Sequence, residues 1–318
     1  MNEFNFTLEQ GTSLKLSTAG KYCDKDIVVT TDNALDNFLS GTSTTLKSNA
    51  KSINKYVCYK NPFITNLILP NASTIGEYAF SECSTLVHAS LPSVETTGIR
   101  IFTSSTALES VELPIVQYIN EHSFNGCEKL KSINLPVATR LYKFSFQSCS
   151  ALESVIAPNV KRIDNRSFYS CANLVEINAP KLKIIESYAF WGCKKLLNVD
   201  CSKLDEIPTF SFAACSVLQF INAPLATSIG ASAFSNCSAL EYVTLSSVSS
   251  IAASAFTGCS ALQYIDFSNC TAVPTLANVN AFNNVPVTCE FRVPASLLDE
   301  WKAANNWSNF ADQIVAAS

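Results

Sequence analysis

The amino-acid sequence predicts a solenoid of about ten short coils carrying mostly short parallel strands, with a small β module before it and a helical cap after it. Three observations predict this. The phrase SAFSNCSAL at 232–240 returns as SAFTGCSAL at 254–262, a step of 22 residues. A phenylalanine falls on the same 22-residue grid nine times: Phe80, Phe102, Phe124, Phe146, Phe168, Phe190, Phe212, Phe234 and Phe256. A leucine column runs alongside from Leu86 to Leu262, and a Val or Ile such as Val111, Ile133 or Val155 follows each leucine three residues later, with Ala89 the weak member.

Residues 1–45 lie off this grid and read as an N-terminal β module or cap. FNFTLEQGTSLKL and KDIVVTT alternate like strands, with turn residues around Gly11 and Gly20. The first residues carry neither a basic stretch nor an apolar stretch of the secretory kind.

Residues 46–275 form the array. One coil is too small to bury its own apolar side chains, so each coil must stack on its neighbours. L-x-x-I-x-L supplies a short strand whose residues alternate inward and outward. Pro70, Pro92, Pro114, Pro136, Pro158, Pro180 and Pro224 end the strands, because proline has no N–H to give to a ladder. Apolar spacings in IGASAFSNC suit one tight helical turn on the opposite side, which makes the unit an α/β type of leucine-rich repeat.

The last segment, 276–318, holds an irregular coil and the cap. The next phenylalanine after Phe256 is Phe282, a step of 26. Beyond Pro294, the sequence predicts a helix over LLDEWKAA with Ser296 as its N-cap, then a second short helix over WSNFADQIV. Trp301, Trp307, Phe310 and Ile314 are expected to cover the open end of the last coil.

The consensus L-x-x-I-x-L-P-x-x-x-x-x-I-x-x-x-A-F-x-x-C resembles the BspA-type leucine-rich repeat over residues 50–275, about seven-tenths of the chain. VPASLLDEWKAANNWSNFADQI is similar to the segment that closes such arrays. The resemblance implies a right-handed solenoid that binds proteins or surfaces, often as a bacterial adhesin, with no catalytic activity and a place at the cell surface or outside the cell. TAGKYCDKDIVVT is similar to short segments of phage tail-associated proteins. That likeness implies a second reading, a structural part of a tail or surface fibre docked through the N-terminal module.

Eight of the 13 cysteines share one column: Cys83, Cys127, Cys149, Cys171, Cys193, Cys215, Cys237 and Cys259, with Ser105 in the remaining place. In-register thiols point the same way, and no C-x-x-C pair occurs, so the column reads as small buried core residues rather than disulfides or metal ligands. No cofactor is expected.

Charged residues make up 15% of the chain and its net charge is −4, which gives no basic face for nucleic acid. No apolar run is long enough to span a membrane. The two histidines, His88 and His122, read as solvated surface residues. Asp200 and Asp266 lie three coils apart, about 14 Å at the strand spacing, whereas a glycosidase pair needs about 5–9.5 Å. The chain is therefore expected not to be an enzyme.

One outward column changes character along the array: Ser110, Ser132, Ser154, Glu176, Asn198, then Phe220, Tyr242 and Tyr264. These three rings are expected to stack on one face, with Asp200, Asn222 and Asp266 beside them. Such a strip suits a sugar or a peptide, and it equally suits cross-strand stacking that steadies the sheet. The expectation is a monomer that binds a protein or glycan ligand on its strand face.

Overall fold

The computed structural model describes residues 8–9, 13–14 and 45–317. It is a parallel-strand solenoid with little helix. Leu8–Glu9 pairs antiparallel with Ser13–Leu14. The KDIVVTT strand lies outside the described residues. The array divides into two compact units, 1–158 and 159–318.

In the first unit, Thr45–Lys47, Asn66–Ile68, His88–Ser90 and Ser110–Glu112 pair in parallel, and Ser132–Asn134 pairs with Ser154–Ile156. The middle residue of most strands, such as Leu67 or Ile133, is buried, and its neighbours face outward. A second ladder of two-residue strands runs through Ser52–Ile53, Thr74–Ile75 and Thr96–Thr97. Ile53, Ile75 and Thr97 turn inward from this ladder, and Ile75 and Thr97 precede Phe80 and Phe102 by five residues.

In the second unit, Phe220–Asn222, Tyr242–Thr244, Tyr264–Asp266, Glu290–Val293 and Ile314–Ala316 form one parallel sheet. Ser228–Ile229, Ser250–Ile251 and Thr275–Leu276 form the second ladder. Ile207 joins this ladder only by an isolated bridge to Ile229. Pro208 stands where Gly230 and Ala252 donate their amides to the preceding coil, and proline cannot donate.

The stretch before each cysteine is not the helical turn the spacing suggested. In 208–215, Ser211, Ala213 and Cys215 donate to the carbonyls three residues back, while Phe210, Phe212 and Ala214 donate to Ala231, Ala233 and Ser235 of the next coil. The amides alternate because Phe210 and Ala214 are left-handed, with φ of 55° and 61°. The coils from Tyr56 to Gly258 repeat this, so the corner is itself a ladder, whereas the last coil forms a 3-10 turn at Val279–Phe282. A non-glycine residue in that conformation costs about 1–2 kcal/mol, and a net hydrogen bond returns about 0.5–1.5 kcal/mol.

Phenylalanine rings fill the space inside the coils. Ring centroids are 5.8, 5.6 and 5.1 Å apart from Phe80 through Phe102 and Phe124 to Phe146. They are 5.4, 5.3, 5.5 and 5.3 Å apart from Phe168 through Phe190, Phe212 and Phe234 to Phe256. Phe282 stays in this stack, 5.6 Å from Phe256, although its coil is longer.

The cap differs from expectation in two places. The helix Leu298–Ala303 begins after a 3-10 turn at Ala295–Leu297, and its N-cap is Leu297, with no side-chain bond, so Ser296 does not cap it. WSNF forms only a 3-10 turn, and Ile314–Ala316 extends the sheet as a strand. β-branched Ile314 and Val315 favour that outcome. Trp301 packs 4.9 Å from Phe267, and the buried Trp307 donates its indole N–H to the Pro274 carbonyl at 2.8 Å.

Candidate functional site

The second unit's strand face is built by register. Ile221, Val243, Ile265 and Phe291 turn inward and are buried, so the residues either side of each must turn outward. Phe220, Tyr242, Tyr264 and Glu290 make one outward column, and Asn222, Thr244, Asp266 and Arg292 make the other.

The three rings share a column but do not form one stack. Tyr242 and Tyr264 lie 4.9 Å apart at a 40° tilt. Among the described residues, Phe220 has no ring neighbour, and it is 49% exposed. The guanidinium of Arg292 covers the Tyr264 ring at 3.8 Å, and its Nη2 meets Glu290 at 2.9 Å. Tyr242 donates its hydroxyl to Gln263 at 3.0 Å, and the neighbouring Glu241 carboxylate raises the phenol pKa. Tyr242, Tyr264, Glu290 and Arg292 border a shallow recess.

Glu290 and Arg292 escaped the sequence reading because their coil is 26 residues long rather than 22, as the pairing Tyr264↔Glu290 shows. The signal was present in EFRV, where Phe291 continues the inward column once four extra residues are allowed.

The flanking polar residues divide. Asn222 is exposed on its strand. Asp266 accepts from the Ser268 amide at 2.8 Å and so holds the turn after its strand. Asp200 accepts from the amide and hydroxyl of Ser202 at 3.0 and 2.6 Å, and residues 198–200 form no strand, so the sheet does not bring Asp200 into the aromatic column.

The cysteine column is buried and every described cysteine is a free thiol. Each thiol has a specific partner in the coil before it. Cys127 and Cys149 donate to the carbonyls of Phe102 and Phe124 at 3.1 and 3.0 Å. Cys193, Cys215, Cys237 and Cys259 donate to Phe168, Phe190, Phe212 and Phe234 at 3.1–3.2 Å. Cys83 does the same to Cys58 at 3.0 Å. Ser105 explains the gap in the column, because its hydroxyl donates to the Phe80 carbonyl at 2.9 Å. Burial pushes the Cys83 thiol up to about 12 and the Cys193 and Cys237 thiols well up, so they stay protonated and unreactive at neutral pH.

His88 is exposed, with Nδ1 2.7 Å from the Ser110 hydroxyl. His122 is half-buried rather than solvated: it stacks 4.5 Å from Phe144, and burial, with Arg100 nearby, lowers its pKa. Among the described residues, no group of three His, Cys, Asp or Glu side chains converges as a metal site. No helix among them is long and apolar enough to cross a membrane.

The fold is similar to that of solved leucine-rich repeat structures. A leucine-rich repeat protein of Bacteroides ovatus aligns over 100% of this chain and 98% of its own, at 20% identity and a TM-score of 0.55, which is a likeness of fold. A leucine-rich cell surface protein of Faecalibacterium prausnitzii aligns over 99% and 96%, at 17% identity and a TM-score of 0.46. A leucine-rich repeat protein of T. pallidum aligns over 59% and 82%, at 23% identity and a TM-score of 0.42. No curated protein matches the chain closely enough to count as a relative. The model of the BspA type leucine rich repeat region matches in 6 copies over residues 51–158, 139–263 and 183–298. The chain belongs to the BspA-type leucine-rich repeat family.

Proposed function

We propose that this protein is a non-catalytic, adhesin-like binding module that holds a protein or glycan ligand on the strand face of its second unit. Contact centres on Phe220, Tyr242 and Tyr264, with Asn222, Asp266 and Arg292 at the side and Asp200 at the margin. One observation carries the reading. Phe220 presents an exposed, unstacked ring in register with two tyrosines, while the same column in the first unit holds His88, Ser110, Ser132 and Ser154. Rings of this kind add contact area at little entropic cost, which is why Tyr and Trp dominate binding hot spots.

Its chemistry supports a non-catalytic role. The ladder thiols are buried and neutral, and the two histidines sit on different coils with Ser110 and Phe144 as neighbours. Screening the purified chain on arrays of glycans and extracellular-matrix proteins tests the proposal. Saturable binding to a defined ligand, competed by that ligand in solution, is the expected result. Absence of binding to every glycan and matrix protein on the arrays would remove the adhesin-like reading.

A further inference from the structure

The corner ladder carries a second set of rings. In the first unit the left-handed position two residues before each phenylalanine holds Tyr78, Arg100, His122 and Phe144, and in the second it holds Arg166, Tyr188 and Phe210, then Ser232 and Ser254. The φ values of these five second-unit residues are 55°, 61°, 55°, 53° and 59°. Large side chains are uncommon in this conformation, which favours glycine and asparagine. Two serines at the same place show that the coil does not require rings there.

The rings form a half-exposed ridge. Arg166 lies 4.9 Å from the Tyr188 ring, which stacks on Phe210 at 4.9 Å. One column over, Tyr169 stacks on Trp191 at 4.5 Å, and Ala213, Ser235 and Thr257 follow at Trp191's position. The polar ends of this ridge are open. Among the described residues, the hydroxyls of Tyr169 and Tyr188 and the indole N–H of Trp191 have no protein partner. By contrast, the hydroxyls of Tyr59, Tyr78 and Tyr242 engage Glu82, Arg100 and Gln263.

Positive charge outnumbers negative on the ridge: Arg162, Arg166, Lys194 and Lys195 stand against Asp164 and Glu186. Asp164 and Glu186 are both engaged by Arg162. Lys194 and Lys195 are exposed, follow Trp191 on the same turn, and form no ion pair among the described residues. The equivalent places in the following coils hold Ser216 and Val217, then Ser238 and Ala239. This pair of lysines is therefore no demand of the repeat.

We infer that this corner ridge, centred on Tyr188 and Trp191 and flanked by Arg166, Lys194 and Lys195, is a second binding site whose ligand is an acidic polysaccharide. The chemistry converges on that class. Sugar rings pack against aromatic edges and faces, the phenol and indole groups hydrogen-bond to hydroxyls, and the cations meet carboxylate or sulfate groups. The site is separate from the strand face and does not rest on it.

The molecule carries its own reporter. Of its three tryptophans, Trp301 and Trp307 are fully buried and only Trp191 is half-exposed. The probe is a heparin-derived octasaccharide, with its fully desulfated counterpart as control. The expected result is a saturable change in tryptophan emission with the sulfated probe, weakened by salt. By calorimetry, affinity should fall by about tenfold or more for Trp191→Ala and for Lys194→Ser with Lys195→Ala, since hot-spot truncation has that effect. These substitutions place residues the repeat already uses in later coils, so the fold is retained, which circular dichroism checks. Phe220→Ser with Tyr242→Ser should leave this binding unchanged, which separates failure here from failure of the strand-face reading. Equal affinity for the desulfated probe, unchanged affinity in the folded lysine variant, or no binding of the octasaccharide would overturn the inference.

Discussion

Cys215 allows the role of the cysteine column to be measured. It is fully buried, and its thiol donates to the Phe190 carbonyl at 3.2 Å. That carbonyl also accepts the Cys193 amide at 3.1 Å. Cys215→Ala removes the thiol donor and leaves the carbonyl one partner, a loss of about 0.5–1.5 kcal/mol. Deleting the sulfur's apolar volume adds about 1 kcal/mol. Cys215→Ser keeps a donor in a place where Ser105 already reaches its carbonyl at 2.9 Å. The serine variant should therefore lose less than about 1 kcal/mol, the smaller apolar term. Urea unfolding of the three proteins side by side, followed by far-ultraviolet circular dichroism, gives the order wild type, serine, alanine. An alanine variant as stable as the serine variant would show that the thiol acts only as a filler and that its hydrogen bond contributes nothing.

Three further outcomes are expected. Phe212→Ala removes a fully buried ring stacked between Phe190 and Phe234 and should cost about 3–5 kcal/mol, read from the urea midpoint; a cost below about 1 kcal/mol would contradict core placement. Burial raises the ladder thiols above their unfolded value of about 8.5, so stability is intact below that pH and falls as pH climbs toward the folded value, by about 1.4 kcal/mol per unit for each thiol. Thermal midpoints should hold at neutral pH and drop steeply above about pH 9; a flat alkaline profile would contradict the buried column. Removing residues 294–318 strips Trp301 and Trp307 from Phe267 and Phe291, and light scattering should then show association; a folded, monodisperse truncation would contradict the cap.

Most of the fold was legible because a side chain that must be buried in every coil recurs at every period. Phe80 to Phe256 and Leu86 to Leu262 are such positions, and within each unit stacking turns their sequence period into a spatial column. Backbone conformation was less legible. Left-handed residues usually announce themselves as Gly or Asn, but here Tyr188, Arg166 and Phe210 hold that place, so the corner read as helical and its ring ridge went unnoticed. The second ladder was hidden because two residues, as in Thr74–Ile75, are too few to show an alternation. In the cap, WSNFADQIV has apolar spacings that suit a helix, yet the sheet edge at Glu290–Val293 recruits Ile314–Ala316. On the strand face, Phe220, Tyr242 and Tyr264 could be placed from the period alone, whereas Arg292 could not, because its coil breaks that period.

The affinity and stability of one folded variant, Phe220→Ser with Tyr242→Ser, test the central claim most directly. Serine already occupies this column in Ser110, Ser132 and Ser154. The rings of Tyr242 and Tyr264 make the one cross-strand stack lost, so stability should fall by no more than about 1 kcal/mol. For the ligand identified on the arrays, calorimetry should show affinity lowered by about tenfold or more, as for loss of a hot spot. Unchanged affinity in the folded variant would contradict binding through this face, and a collapse in stability would show that the rings are scaffold.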